Sequence, residues 1–331
     1  MAIQYRLEQR PESGTPPKWC RSTDLLPALK EGEARLSLDY ISIDPGMMGW
    51  VTDKKSYMPP IAVGDVMRAF GVGTIVESNK PDMPVGTQLT GFTGVQTELV
   101  VSKKSFLRPV SLPKGLPLSH AMSALGMPGY TGYFGMTDIG QPKPGDTVVV
   151  SAAAGAVGSV ASQVARSLGA TVIGIAGGKQ KTDLLREHFK LDGVVDYKAE
   201  NVAEALGKLC PNGVDVYFDN VGGETLDALI DLMKPNGRLV ICGAISQYDD
   251  MTETRGPKNF INVVTQSLML QGFTMKDYFH RIPEANEALS ALIASGDLVV
   301  QEHILEGIDA FPDGFDMIFK GGNLGKLMIK L

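Results

Sequence analysis

The chain is poor in the residues that would tie it to disulfides, metals, membranes or nucleic acid. Its three cysteines, Cys20, Cys210 and Cys242, are too few and too scattered for a disulfide framework. They form no metal-ligand spacing, and neither do the four histidines, His120, His188, His280 and His303, which stand far apart. No metal site is therefore expected. No apolar run approaches the length of a membrane span, and the longest ones have the spacing of strands. Lys and Arg number 31 against 37 Asp and Glu, a net charge of −6, so a basic face for nucleic acid is not expected. The first ten residues, Met1 to Arg10, lack an apolar signal core, which makes the cytoplasm the expected location. Internal repeats and low-complexity tracts are missing as well.

The 331 residues are enough for two domains. Hydrophobic residues at 44% and charged residues at 21% form an ordinary globular mixture that can build a core. The most informative segment runs from Asp146 to Gly158. A β-branched run, Thr147 to Ser151, stops at a turn of small residues, and a helical pattern then carries no charge until Arg166. Strand, tight turn and helix in that order are the context of a dinucleotide-binding turn. Small residues admit the pyrophosphate to the backbone, and the helix start offers unpaired N–H groups. The turn residues that would bind are Ala152, Gly155, Val157 and Gly158, with alanine where the first glycine of the usual fingerprint would stand.

A second buried strand follows over Thr171–Ala176. An NAD site usually places Asp or Glu at the end of this strand to accept from the ribose 2′-hydroxyl. Here the position holds Ala176-Gly177-Gly178, with Lys179 and Lys181 just beyond. No acid repels a 2′-phosphate and either lysine can meet it, so NADP(H) is the expected cofactor, with Gly178 at the turn of that subsite.

Residues 1 to about 125 are rich in strands and turns and read as an irregular β-barrel. Arg35–Ile43 and Gly71–Ser78 alternate apolar and polar residues. Leu116–Gly126 reads as a helix, and Met127 opens the segment that links to the next domain. Between 126 and 300 the pattern becomes βαβ, with strands at Thr147–Ser151, Thr171–Ala176, Gly193–Asp196, Val214–Asn220, Gly237–Cys242 and Met269–Phe273. Six strands with helices between them predict an α/β fold with a doubly wound parallel sheet. The tail from about 301 reads as a helix and a final strand.

Seven segments carry a more specific resemblance: Ser42–Pro45, Ser56–Pro60, Leu125–Thr131, Ala152–Gly158, Tyr217–Gly223, Ile241–Tyr248 and Gly322–Lys326. In their order and spacing the chain resembles the zinc-independent medium-chain dehydrogenases/reductases. Within them it resembles the leukotriene B4 12-hydroxydehydrogenase / prostaglandin reductase family, which includes curcumin-reductase-like and 2-alkenal-reductase-like members. The resemblance implies an N-terminal GroES-like barrel over 1–125 completed by 301–331, with a Rossmann domain over 126–300. It implies NADPH-dependent reduction of the C=C bond of α,β-unsaturated ketones or aldehydes, without metal, by a homodimer. Carried over by position, Lys181 matches the lysine at the 2′-phosphate. Tyr197 and Asn220 line the adenosine and pyrophosphate path, and Cys242 and Asn323 lie on the cofactor side. Tyr248 stands near the nicotinamide ribose. One departure concerns the substrate side: the family usually reads Asp-Pro-Tyr-Met-Arg where this chain has Asp44-Pro-Gly-Met-Met48.

Reduction at a conjugated C=C bond develops charge on the carbonyl oxygen, and without a metal hydrogen-bond donors must stabilise it. Tyr248 is the first candidate donor and Tyr57 the second. Two other readings remain at this level: a quinone oxidoreductase of the same superfamily, and a cofactor-binding protein without catalysis.

Overall fold

The computed structural model describes residues 1–12, 15–53, 58–248 and 255–331. These divide into two compact units. One comprises Met1–Met122, Glu302–Asn323 and Leu327–Leu331, and the other Ser123–Gln301 with Leu324–Lys326.

The first unit is built on antiparallel strands. Ala34–Ser42 alternates as its sequence requires, burying Ala34, Leu36 and Leu38. It pairs with Phe70–Ser78, with Glu98–Val101 and, from the far end of the chain, with Lys326–Lys330, where Met328 stands opposite Ser42. Among the described residues the sheet runs Glu302–Glu306, Lys326–Lys330, Ala34–Ser42, Phe70–Ser78, Gln88–Phe92, Leu107–Pro109. Gly73 permits a close approach in this sheet, since a Cβ there would come within 2.2 Å of the Ser37 carbonyl oxygen. A hairpin of Ala2–Gln9 and Lys18–Asp24 brings Trp19 against the helix Phe311–Phe319, with ring centroids 4.9 Å from Phe311 and 5.1 Å from Phe315.

Two expectations for this part of the chain need correction. Leu116–Gly126 is no α-helix: a short 3-10 stretch, Leu118–Met122, is followed by turns. The His120 N–H bonds to the Pro117 carbonyl three residues back, and the Gly126 N–H to Ser123, so the tighter spacing replaces an α-helical ladder. The tail also contains a strand, Glu302–Glu306, that the sequence reading missed. His120 has a partner that sequence distance concealed, with its Nδ1 3.1 Å from Glu302 Oε1.

The second unit is a parallel sheet with helices between its strands. In space the strands run Gly193–Asp196, Thr171–Ala176, Thr147–Ser151, Val214–Asp219, Met233–Ile241, Met269–Gly272. In chain order this is 3-2-1-4-5-6, the doubly wound Rossmann arrangement. The order reverses between Thr147–Ser151 and Val214–Asp219, and ligands of such sheets bind beyond the carboxyl ends of the strands at that point. On one face of the sheet Val149, Ile173, Val195, Tyr217 and Leu239 pack with Leu229 of the helix Gly223–Leu232 in one core. Met127, expected only to open a linking segment, begins the helix Met127–Phe134, which continues as a π-helical turn over Gly135–Gly140. Gly132 lets that helix lie against the next one, Ala156–Ser167, because a Cβ there would be 2.9 Å from the Val157 carbonyl oxygen.

Candidate active site

The turn after Thr147–Ser151 is held by its own backbone. Ala152 adopts φ +48°, a left-handed conformation uncommon for alanine, and its carbonyl accepts the Gly155 N–H at 2.9 Å. The first hydrogen bond of the following helix runs from the Ser159 N–H to the Gly155 carbonyl, also at 2.9 Å. The N–H groups of Ala156, Val157 and Gly158 therefore precede the helical ladder, as those of a first turn do. Ala152, Gly155, Ala156 and Val157 stay partly exposed while Ser151 and Gly158 are buried. Gly158 admits no side chain, since a Cβ would stand 2.3 Å from the Ala152 carbonyl oxygen. The turn is tied down by Gly325, which bridges Gly155 and donates its N–H to the Ala154 carbonyl at 3.0 Å. This cradle of small residues and unpaired N–H groups fits a pyrophosphate.

The end of the second strand forms a separate cluster. Tyr197 donates its N–H to the Ala176 carbonyl at 3.1 Å, and its ring covers Gly177, where a Cβ would approach it to 2.6 Å. Asp196 accepts the Gly178 N–H at 2.8 Å. That N–H first, with others after it, holds the Asp196 carboxyl below the usual carboxylate range. The two lysines named by the sequence separate here. Lys179, 86% exposed, is neutralised by Asp183 at 2.5 Å, four residues along the same short helix. Lys181 is half-buried, and among the described residues no carboxylate bonds it. Burial, and secondly the charge of Lys198, pushes its ammonium below the usual lysine value. A phosphate monoester at this end of the strand would relieve that cost, so the residues present fit a 2′-phosphate.

At the topological switch point Ser151, Asp219 and Asn220 are interlocked. The Asn220 N–H donates to Ser151 Oγ at 2.9 Å, and its side-chain amide to the Ser151 carbonyl at 2.7 Å. Asp219 is buried, and its Oδ1 accepts from Tyr217 Oη at 2.7 Å, Gly222 N–H at 2.8 Å, Val221 N–H at 2.9 Å and Ser151 Oγ at 3.3 Å. Burial raises the Asp219 carboxyl above its usual value despite these donors. The backbone of Cys242 and Gly243 joins the cluster, donating to the Asp219 carbonyl at 2.9 and 3.1 Å. The Cys242 thiol is pushed up to about 12, mainly by burial and then by Asp219, so it stays protonated and unreactive.

Tyr248 closes the 3-10 turn Ile245–Gln247. That turn is pinned to the switch-point loop by Ile245 N–H to Asn220 O and Ser246 N–H to Val221 O, each 3.2 Å. The Tyr248 hydroxyl lies beside Gly243, where a Cβ would be 3.4 Å from both Tyr248 Oη and Asn220 O, and the Ala244 backbone favours its ionised form. Among the described residues its proton has no acceptor. Burial, the larger influence, raises its pKa.

The structure thus brings together Ala152, Gly155, Val157 and Gly158 in one turn, Gly178, Lys181 and Tyr197 in a second group, and Asn220, Cys242 and Tyr248 in a third. Asn323 is buried and belongs to the other unit. Tyr57 lies outside the described residues. Sequence reasoning missed the roles of Ser151 and Asp196 in fixing these groups; the only signal was their position at the carboxyl ends of strands.

Residues 4–110 match the family described as the N-terminal domain of oxidoreductase, and residues 156–291 the family described as zinc-binding dehydrogenase. The NADPH-dependent curcumin reductase of Escherichia coli is 36% identical over 91% of this chain and 88% of its own. The NADP(+)-dependent 2-alkenal reductase of Nicotiana tabacum is 37% identical over 88% of this chain and 84% of its own. The structure of CurA from Vibrio vulnificus in complex with NADPH is 35% identical, has a TM-score of 0.91, and covers 99% of this chain and 98% of its own. The chain belongs to the zinc-independent medium-chain dehydrogenases/reductases. Despite the zinc in one family's description, no group of three or more His, Cys, Asp or Glu residues comes together to hold a metal among the described residues of this family member. Gly46, where the family usually carries tyrosine, lies in the 3-10 turn Pro45–Met47 of the β unit.

Proposed function

We propose that the protein reduces the C=C bond of α,β-unsaturated ketones or aldehydes with NADPH. The observation that carries this reading is its likeness, over about nine-tenths of its length, to reductases named for curcumin and for 2-alkenals, substrates with a C=C bond conjugated to a carbonyl. The site supports it. N–H groups of Ala156, Val157 and Gly158 would hold the pyrophosphate, and Lys181 and Tyr197 the 2′-phosphate end. Asn220, Cys242 and, from the returning tail, Asn323 would complete the cofactor's surroundings. NADPH supplies the hydride. Tyr248 donates its free proton as a hydrogen bond to the carbonyl oxygen, where charge develops, and Tyr57 is a second donor. One such donor contributes about 2.7–4 kcal/mol to the transition state.

The same reading assigns residues 1–125 and 301–331 to a GroES-like catalytic domain and 126–300 to the cofactor domain of a cytoplasmic protein. It makes the enzyme a homodimer. The strand Met269–Gly272 is an edge of the parallel sheet, and the nearby chain exposes Phe260, Ile261 and Val264, a surface suited to a second copy. Light scattering on the full chain should give twice the mass of 35.4 kDa; a monomer at micromolar concentration removes this assignment.

Loss of the reduced nicotinamide absorbance, followed with an enone, a quinone and no acceptor, tests the activity. Turnover with the enone should yield the saturated ketone, identified by mass spectrometry and NMR. An allylic alcohol, or turnover with the quinone alone, would overturn the proposal.

A further inference from the structure

The end of the second strand carries more positive charge than Lys181 alone. Tyr197 is followed by Lys198, whose ammonium is exposed and, among the described residues, makes no ion pair. The backbone forces the two lysine-bearing segments together. A single oxygen of Asp196, Oδ1, accepts the Gly178 N–H at 2.8 Å and the Lys198 N–H at 3.0 Å. Lys181 in turn donates its N–H to the Gly178 carbonyl at 3.1 Å, closing the short helix onto the same point. The Tyr197 ring lies on Gly177. Gly177 to Lys181 and Asp196 to Lys198 thus form one fixed cluster.

That arrangement places like charges near one another. Lys198 is felt at Lys181 strongly enough to disfavour its cation, after burial itself. The acids at hand form no ion pair with either lysine among the described residues: Asp196 feels the Lys198 charge, but its Oδ1 is taken up by two backbone N–H groups, and Glu200 Oε1 accepts the Asp196 N–H at 2.8 Å. Folding gains nothing from two unbridged lysines held at one strand end. A bound dianion does, because a phosphate monoester carries about −1.5 to −2 charges near pH 7 and one lysine leaves half of that unmet.

We infer that Lys198 is a second cation of the 2′-phosphate subsite, positioned by Asp196 and sharing with Lys181 the selection of NADPH over NADH. The inference rests on the cofactor reading above and adds a residue to it.

Dissociation constants of NADPH, NADH and 2′,5′-ADP, measured by calorimetry on full-length wild type, Lys181→Ala, Lys198→Ala and Lys198→Glu, test it. Lys198→Ala should weaken NADPH and 2′,5′-ADP by about three- to tenfold, as for a partly exposed charge on a phosphate, and leave NADH unchanged. Lys198→Glu should weaken them further, again sparing NADH. The NADH constant also reports that the fold is intact. If Lys198→Ala leaves the NADPH/NADH ratio unchanged while Lys181→Ala collapses it, the inference falls and the cofactor reading stands. Equal loss of both cofactors in Lys198→Ala would mark a structural role and also overturn it. A wild type that binds both cofactors equally would remove the subsite itself.

Discussion

Tyr248 is fixed by the pinned 3-10 turn before it and keeps an unengaged proton, which is what a hydrogen-bond donor to a developing oxyanion needs. Tyr248→Phe keeps the ring and removes the proton, so turnover of an enone should fall about 10²–10³-fold if this donor acts alone, and less if Tyr57 shares the load. Thermal unfolding of the variant should be near wild type. Kinetics unchanged in Tyr248→Phe would take the residue out of the mechanism. Because burial raises its pKa above the usual value of about 10, Tyr248 stays protonated through neutral and mildly alkaline pH. It should therefore produce no alkaline limb in the wild-type rate profile below about pH 10; a limb near pH 8 that vanishes in Tyr248→Phe would contradict this. At this scale the sequence is informative where a residue type is missing. Lys179 and Lys181 stood out together because no acid ends the second strand, and the family resemblance singled out Lys181. The pairing of Lys179 with Asp183 could also be anticipated from their spacing on a helix. The clamp of Asp196 on Gly178 could not, because it joins residues that only the parallel pairing of two strands brings together.

Strands of the parallel sheet were readable because buried parallel strands are continuous β-branched runs with little else to be. Thr147–Ser151, Thr171–Ala176 and Gly193–Asp196 have the bounds their sequence indicates. The fifth strand begins earlier than expected, at Met233, and its register against Val214–Asp219 shifts around Asn236, a left-handed residue whose effect on pairing has no local signature. Glu302–Glu306 was missed because an edge strand with Glu302, His303 and Glu306 lacks the apolar pattern that marks a buried one. Leu116–Gly126 misled in the other direction: its apolar spacing suits a helix, but Pro117 and Gly126 leave room only for tighter turns. The element most dependent on one side chain is the switch-point loop. Asp219→Ala would strip the acceptor from Tyr217 Oη, Ser151 Oγ and the N–H groups of Val221 and Gly222. The expected loss of stability is about 2–4 kcal/mol, with weaker NADPH binding, read by denaturant unfolding and cofactor titration. A stability within about 0.5 kcal/mol of wild type would show that the loop does not depend on this carboxylate.

For the molecule as a whole, membership of a zinc-independent family implies chemistry without metal, and no group of three or more His, Cys, Asp or Glu comes together among the described residues. Exhaustive chelation should leave enone reduction at full rate. Stoichiometric zinc by elemental analysis, lost together with activity, would overturn the metal-free mechanism. The two-part organisation was visible in the change from alternating strands to βαβ units. The partners of the last strand were not, since register between distant strands is a property of the folded sheet.

That last strand has a consequence for biosynthesis. Ser42 faces Met328, so the Tyr40–Ser42 end of the strand Ala34–Ser42 lacks its neighbour on one side until residues 326–330 have been made. At cellular rates of translation of about 5–20 residues per second, the interval is roughly 15–60 s. During it the nascent β unit presents a strand edge beside the ribosome, while the intervening α/β unit has all of its sheet in hand once Met269–Gly272 has been made. The α/β unit is thus free to fold first, and the earlier-made segment must wait, guarded by chaperones or by its own partial pairing, for the tail that finishes it.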